Sequence, residues 1–142
     1  MGHPLVTISV PVFNTDPRYL EEAILSAKSQ TYPNVQIIVV DDGSTRADTL
    51  EALNALEDVS LLHQENSGPG AAANAAVGAG DGEYVLNLSA DDILTPGSVS
   101  SLLQTLTSAK DIVIAYPVVE KFGTETGLLE TPDEARLEDI LI

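Results

Sequence analysis

Two pairs of adjacent carboxylates, Asp41-Asp42 and Asp91-Asp92, occur in this chain where an apolar run has just ended. Continuous apolar runs of this kind are typical of strands that are covered on both faces of a parallel sheet. In open α/β sheets, ligands bind just beyond the carboxyl ends of the strands. We therefore expect both acid pairs to contribute to one site at that edge of the sheet.

The chemistry available to the two pairs differs. Asp91-Asp92 could hold Mg²⁺ or Mn²⁺, because these ions prefer oxygen ligands and usually keep waters and substrate phosphates in their shell. Asp41-Asp42 could accept hydrogen bonds from a base or a ribose, and Gly43 would let the backbone turn. Taken alone, each pair also fits a capped strand-to-helix turn without any ligand, in the first case with Ser44 or Thr45 as the cap.

A glycine-containing loop precedes a predicted alanine-rich helix. Its spacing Gly68-x-Gly70-x-x-Ala73 formally fits a dinucleotide fingerprint, in which glycines admit a pyrophosphate at a helix N-terminus. That fingerprint belongs after the first strand, whereas this loop follows the third. Pro69 also removes one backbone N–H that could meet a phosphate. The spacing alone favours a plain connection and argues against a dinucleotide-dependent oxidoreductase.

Strands and helices are predicted to alternate along the chain, which indicates a mostly parallel sheet with helices on its faces. Asp16 and Pro17 have the types expected where the first helix begins, and Thr95 those of an N-cap for the fourth. Predicted strands cover residues 5–12, 35–40, 59–63, 84–88 and 111–116. Predicted helices cover residues 17–30, about 46–56, 71–79 and about 96–109. An edge hairpin is predicted at 118–129, followed by a short helix from residue 131.

The composition narrows the possible partners. The chain has 22 acidic and 6 basic residues, a formal net charge of −16 and no cysteine. Nucleic acid is therefore a poor partner, since Lys and Arg carry phosphate binding, and disulfides and thiolate metal sites are excluded. No apolar run approaches the ~20 residues that a membrane span requires. We expect no direct membrane insertion and a cytoplasmic location, with any peripheral membrane attachment provided by other segments or partners.

Several segments taken together resemble the family 2 glycosyltransferases of the GT-A fold. Their order and spacing match over nearly the whole chain, although each segment alone is unspecific. The resemblance implies a three-layer α/β/α structure in which residues 1–142 form a single nucleotide-sugar-binding domain, truncated before the acceptor-binding region. The matching segments are residues 6–14, 20–26, 30–34, 37–45 (Ile-Ile-Val-Val-Asp-Asp-Gly-Ser-Thr), 64–72, 82–85 and 90–96 (Ala-Asp-Asp-Ile-Leu-Thr-Pro).

The resemblance also implies roles for individual residues in binding a nucleoside diphosphate sugar, with UDP as the expected nucleotide. Pro11 and the loop after it would line the uridine pocket, Asp42 would contact the base, and Asp41 would support the loop. The acceptor hydroxyl, on an unidentified glycan, lipid or polysaccharide, would be deprotonated by a general base outside this chain. The implied nucleotide-binding residues are Pro11, Phe13, Asn14, Asp41, Asp42, Ser44 and Gly70.

The metal motif departs from the family pattern. Asp91 occupies the last position of the Asp-x-Asp motif and would hold Mn²⁺ or Mg²⁺ against the diphosphate, with Ser89 and Asp92 as further ligands. Ser89 stands where the family usually has the first aspartate, and a hydroxyl is a weaker ligand for a hard cation. Ala73 stands where the family often has arginine. The leading hypothesis is an inverting sugar transferase, and the alternative is a domain that binds nucleotide sugars without catalysis. A receiver-like signalling domain is disfavoured, because it would have its acid pair after the first strand.

Overall fold

A computed structural model of the protein describes residues 2–129. Strands and helices alternate along the first four strands, as the sequence predicts, and two short strands follow. The strands are β1 (Val6–Val12), β2 (Val35–Asp41), β3 (Ser60–His63), β4 (Tyr84–Asn87), β5 (Glu120–Lys121) and β6 (Gly127–Leu128), and the helices are α1 (Pro17–Lys28), α2 (Ala47–Asn54), α3 (Pro69–Ala79) and α4 (Ser98–Thr107).

The main sheet has four strands in the order β3-β2-β1-β4, and all of its pairings are parallel. Val6 of β1 lies opposite Val35 of β2 on one side and Tyr84 of β4 on the other. The chain therefore adds β2 and β3 on one side of β1 and then returns to add β4 on the other side. This places the carboxyl ends of β1, β2 and β4 at one edge of the sheet.

Helices cover both faces of the sheet, which confirms the three-layer prediction. The even-numbered residues of β1, such as Ile8 and Val10, pack in the larger core together with Leu20 and Ile24 of α1. That core also contains residues of α2 and α4. The opposite face carries α3, where the small side chain of Ala72 packs on β2 residues. Alanine allows α3 to approach the sheet closely.

Some predicted boundaries are wrong for local reasons. The fourth helix begins at Ser98 with Gly97 as its N-cap, and not directly after Thr95, because the Thr95 hydroxyl instead shares a hydrogen bond of 2.9 Å with the Ser98 hydroxyl. The third helix begins two residues early, at Pro69. The first ends at Lys28 rather than at residue 30.

The predicted strand at residues 111–116 is absent. These residues form no regular strand, and the large apolar side chains of Val113 and Ile114 are exposed. They line a cavity of about 430 Å³ beside β4 and α4 without pairing to β4. The apolar run indicated a strand, but a strand also requires a hydrogen-bonded neighbour.

The predicted hairpin at 118–129 is present as the antiparallel pair β5–β6, which forms a sheet of its own and not an edge of the main sheet. The predicted helix from residue 131 lies outside the described residues. No helix in the described part, residues 2–129, has both the length and the apolar character needed to cross a membrane.

Candidate functional site

A cleft of about 370 Å³ opens at the carboxyl edge of the sheet. It lies where the strand order reverses between β1 and β4, the position at which open α/β sheets bind ligands. Its walls come from the loop after β1, from Asp42, from the loop before α3, and from the turn after β4. Asp42 and Asp91 are the charged residues among the described ones that line the cleft, and both are acidic.

Asp42 joins the end of β2 to the loop that precedes α3. One carboxylate oxygen, Oδ1, accepts hydrogen bonds from Gln64 Nε2 at 2.7 Å and from the Ser67 backbone N–H at 2.8 Å. The other, Oδ2, accepts from the Gly68 backbone N–H at 2.9 Å. The hydrogen bonds of Gln64, Ser67 and Gly68 outweigh the burial of Asp42 and lower the pKa of its carboxyl group. We call these four residues the Asp42 latch.

Asp41 holds the loop after β2 and the end of β3. Its Oδ1 accepts a hydrogen bond from the Ser44 backbone N–H at 2.9 Å, and its Oδ2 lies 3.0 Å from His63 Nδ1 on β3. Burial raises the pKa of Asp41, whose exposed fraction is 4%, but hydrogen bonds from Ser44 and His63 outweigh it and lower the pKa below the ordinary value. Asp41 therefore ties the ends of β2 and β3 together and does not line the cleft.

Asn14 fixes the loop after β1 against the loop after β2. Its backbone has a positive φ of 49°, a conformation that asparagine tolerates better than most residues. Its Oδ1 accepts from the Thr45 N–H at 2.7 Å and the Arg46 N–H at 2.9 Å, and its own N–H donates to Ser44 Oγ at 3.0 Å. Asn14 and Ser44 thus hold two walls of the cleft together, while the neighbouring Phe13 lines it and is exposed.

The residues after β4 form a tight turn in which the Asp92 N–H donates to the Ser89 carbonyl at 3.1 Å. Ala90 is buried within the turn, whereas Ser89, Asp91 and Asp92 are exposed. Ser89 and Asp91 line the cleft, and Asp92 does not. Two aspartates that are adjacent in the sequence therefore differ in position, because Asp91 lines the cleft and Asp92 does not.

The donor set at this turn fits a cation that is shared with a phosphate. Residues 2–129 contain no cluster of three or more His, Cys, Asp or Glu side chains that could enclose a metal. Mg²⁺ is usually held by one or two carboxylates together with substrate phosphates and waters, and not by a set of ligands that comes from the protein alone. Asp91 with the Ser89 hydroxyl provides such an open set.

The cleft also contains residues that were not among the implied nucleotide-binding residues. Asn66, Gly68 and Pro69 line it, whereas Gly70 lies in the first turn of α3 and does not. A clue was present in Gly43, which has a φ of +77° and lies so close to the Asn66 backbone that a β-carbon would be 2.8 Å from the Asn66 nitrogen. This contact brings the loops after β2 and β3 together.

Comparison with known proteins identifies the family. Residues 7–135 match the family described as glycosyl transferase family 2. The chain belongs to glycosyl transferase family 2. Among the relatives of this family 2 chain, an uncharacterised glycosyltransferase of Rickettsia prowazekii is 38% identical over 122 residues, which cover 83% of this chain and 38% of the relative.

Solved structures place the family 2 chain among GT-A proteins. A mannosyltransferase of Pyrobaculum calidifontis in complex with GDP-Man and Mn²⁺ has a TM-score of 0.62 at 25% identity, covering 75% of this chain and 33% of that one. TarS of Staphylococcus aureus in complex with UDP has a TM-score of 0.59 at 25% identity, covering 71% and 31%. The chain spans 18% to 38% of the length of the first curated relatives that it matches.

Proposed function

We propose that the cleft binds a nucleoside diphosphate sugar, with UDP as the nucleotide, and that the chain is the donor-binding part of an inverting, metal-dependent glycosyltransferase. The observation that carries this proposal is the position of the cleft, with the Asp42 latch on one side and the Ser89–Asp92 turn on the other. Family membership and the nucleotide complexes of TarS and the Pyrobaculum mannosyltransferase support it.

The two walls would have different tasks. Phe13 and Asn66 offer an exposed ring and an amide to a planar base that also packs on Pro11. Asp42 has three donors on its two oxygens, so an ionised carboxylate with about four acceptor positions retains one for the base. Asp41, Asn14, Ser44 and the latch hold these groups in place.

The diphosphate would lie toward the turn after β4. Because the charged residues that line the described cleft are both acidic, a diphosphate there needs a bridging cation. Mn²⁺ or Mg²⁺ would be held by Asp91 with the Ser89 hydroxyl, and when bound it would supply Lewis-acid stabilisation of the leaving diphosphate. Asp92, which does not line the cleft, would support the turn.

In this proposal, the acceptor-binding region and the general base lie outside this chain. An inverting displacement requires a base to deprotonate the attacking hydroxyl of a glycan, lipid or polysaccharide. We assign no residue among 2–129 to that role. The alternative function is a domain that binds the nucleotide sugar without transferring it, which the serine at position 89 and the alanine at position 73 favour.

Calorimetric titration with UDP, with and without MnCl₂, tests the proposal. We expect UDP to bind, and Mn²⁺ to tighten binding at least tenfold in the wild-type chain. Asp91→Asn should lose this gain, and the matched neighbour Asp92→Asn should keep most of it. Absence of UDP binding in both conditions contradicts the proposal. Tighter binding of GDP than of UDP would show that the nucleotide base is guanine. If Mn²⁺ still tightens UDP binding in Asp91→Asn, Asp91 does not hold the cation.

A further inference from the structure

The turn that carries Asp91 is followed by a segment, residues 94–99, that is held by the end of α1 and the residues just after it. The buried Ser26 Oγ accepts a hydrogen bond from the Leu94 N–H at 3.1 Å and donates to the Ala23 carbonyl at 2.7 Å. The Thr31 N–H donates to the Pro96 carbonyl at 2.8 Å, and its hydroxyl does so at 3.1 Å. These contacts join parts of the chain that are far apart in sequence.

Gln30 makes the most extensive contact with this segment. Its Nε2 donates to the Thr95 carbonyl at 2.8 Å and to the Ser26 carbonyl at 3.1 Å. Its Oε1 accepts from the Val99 N–H at 3.0 Å, which is one of the amides that the first turn of α4 leaves without a helical partner. Gly97, the N-cap, provides no side-chain cap. We call Ser26, Gln30 and Thr31 the α1 clamp.

The turn is also fixed on its other side. The Leu88 N–H donates to the Ser9 carbonyl of β1 at 2.9 Å, and the side chains of Leu88 and Ala90 are buried. The next anchored residue is Leu94, whose N–H donates to Ser26 Oγ of the clamp. Only residues 91–93 lie between the two anchored points, so the clamp restricts where the Asp91 carboxylate can be.

We propose that Gln30 and Ser26 are positioning residues for the cation site, so that cation affinity depends on the α1 clamp although the clamp contributes no side chain to the lining of the cleft. This inference rests on the proposed function, since it assigns the clamp to the metal held by Asp91. The base-binding wall is held independently, by the Asp42 latch and Asn14. Loosening the clamp should therefore affect metal-assisted binding and leave metal-free nucleotide binding unchanged.

A matched pair of glutamines allows the test. Gln36, near the amino end of β2, is half-buried like Gln30, and its Oε1 likewise accepts hydrogen bonds, from the Asp81 N–H at 3.0 Å and from the Thr7 hydroxyl at 3.2 Å. Gln30→Met and Gln36→Met remove the amide at nearly constant volume. Ser26→Ala is a second clamp variant in case Gln30→Met does not fold.

Two measurements on the 142-residue chain decide the matter. Hydrogen exchange should accelerate locally, at residues 92–99 in Gln30→Met and around Asp81 in Gln36→Met. UDP titrations should show metal-free affinity within twofold of wild type in both variants. The tightening by MnCl₂ should fall at least fivefold in Gln30→Met only. If Gln30→Met shows faster exchange at residues 92–99 and keeps the full Mn²⁺ gain, or shows unchanged exchange there, the inference alone is overturned. A wild-type chain without any Mn²⁺ gain overturns the proposed function with it.

Discussion

The Gly68 backbone N–H donates to Asp42 Oδ2 at 2.9 Å, and this contact joins the end of β2 directly to the start of α3. Gly68 has a φ of +91° and is the N-cap of α3, so its amide points back toward β2. Asp42 therefore uses its carboxylate to build the wall of the cleft in which it also lies. Its role in structure and its implied role in nucleotide binding can be separated by titration.

Asp42→Asn should destabilise the chain in a pH-dependent manner. The folded-state pKa of Asp42 lies below its ordinary value of 3.8, so its contribution to the free energy of unfolding is fully present above that pH and is lost as the pH falls below it. The difference in the free energy of unfolding between wild type and Asp42→Asn should therefore be largest near pH 7 and shrink below pH 3.8. Urea denaturation at several pH values measures it.

The control for this titration is Glu51→Gln, which removes one negative charge from the exposed face of α2. The free energy of unfolding of Glu51→Gln should differ little from that of wild type over the same pH range. A difference for Asp42→Asn that is constant with pH would mean that the latch does not depend on the charge of the carboxylate.

Gly43→Ala should destabilise the chain and weaken UDP binding. The left-handed backbone of Gly43 costs an L-residue about 1–2 kcal/mol, and the added β-carbon would lie 2.8 Å from the Asn66 nitrogen. Relief of that clash moves Asn66, which lines the cleft. Gly78→Ala is the matched control, because Gly78 lies in α3 with open space around it and alanine should raise stability there by about 0.5–1 kcal/mol. Equal effects of the two changes would contradict this account.

Thr7 and Ser9 provide a test of buried hydroxyl groups on one face of β1. The Thr7 hydroxyl donates to Gln36 Oε1 and accepts from the Gly82 N–H at 3.1 Å, whereas Ser9 Oγ is buried without a hydrogen-bond partner among the described residues. Thr7→Val should lower the free energy of unfolding by about 1–3 kcal/mol, since it leaves the half-buried Gly82 N–H without its hydrogen-bond acceptor. Ser9→Ala should cost nothing or raise stability by about 1 kcal/mol. A comparable loss for both variants in urea denaturation would show that Ser9 has a partner.

Asn14 combines an unusual backbone with two accepted hydrogen bonds, and three variants separate these contributions. Asn14→Asp keeps the acceptors for Thr45 and Arg46 and should remain near wild-type stability. Asn14→Gly keeps the backbone conformation but loses the acceptors, at a cost of about 1–2 kcal/mol. Asn14→Ala loses both and should be the least stable in thermal and urea unfolding. If the alanine and glycine variants are equally stable, the φ of 49° carries no strain.

The parts of this fold that the sequence predicts are those that depend on local pattern. The apolar run that ends at Asp41 indicated a doubly covered strand, and the convergence of parallel strand ends then placed Asp42 and Asp91 at one edge. The resulting cleft contains both residues. Residues 111–116 show the limit of the same reasoning, because an apolar pattern does not state whether a strand finds a partner.

The side-chain partners could not be predicted, because they join loops that are distant in sequence. The resemblance implied nucleotide binding for Asn14, but its hydrogen bonds to the loop after β2 depend on Thr45 lying beside it. The contact of the His63 ring with Asp41 depends in turn on the pairing of β3 with β2. The clamp formed by Gln30 depends in the same way on how α1 packs beside the segment before α4.

The acidic lining of the cleft has a kinetic consequence. With a formal net charge of −16 on the chain and only carboxylates among the charged residues of the described cleft, a free nucleotide approaches against a repulsive field. Added salt screens that field over about 10 Å at 0.1 M ionic strength. UDP should therefore associate faster as the salt concentration rises, the reverse of the behaviour of a basic phosphate-binding protein, and Mn²⁺ should flatten this dependence in stopped-flow measurements.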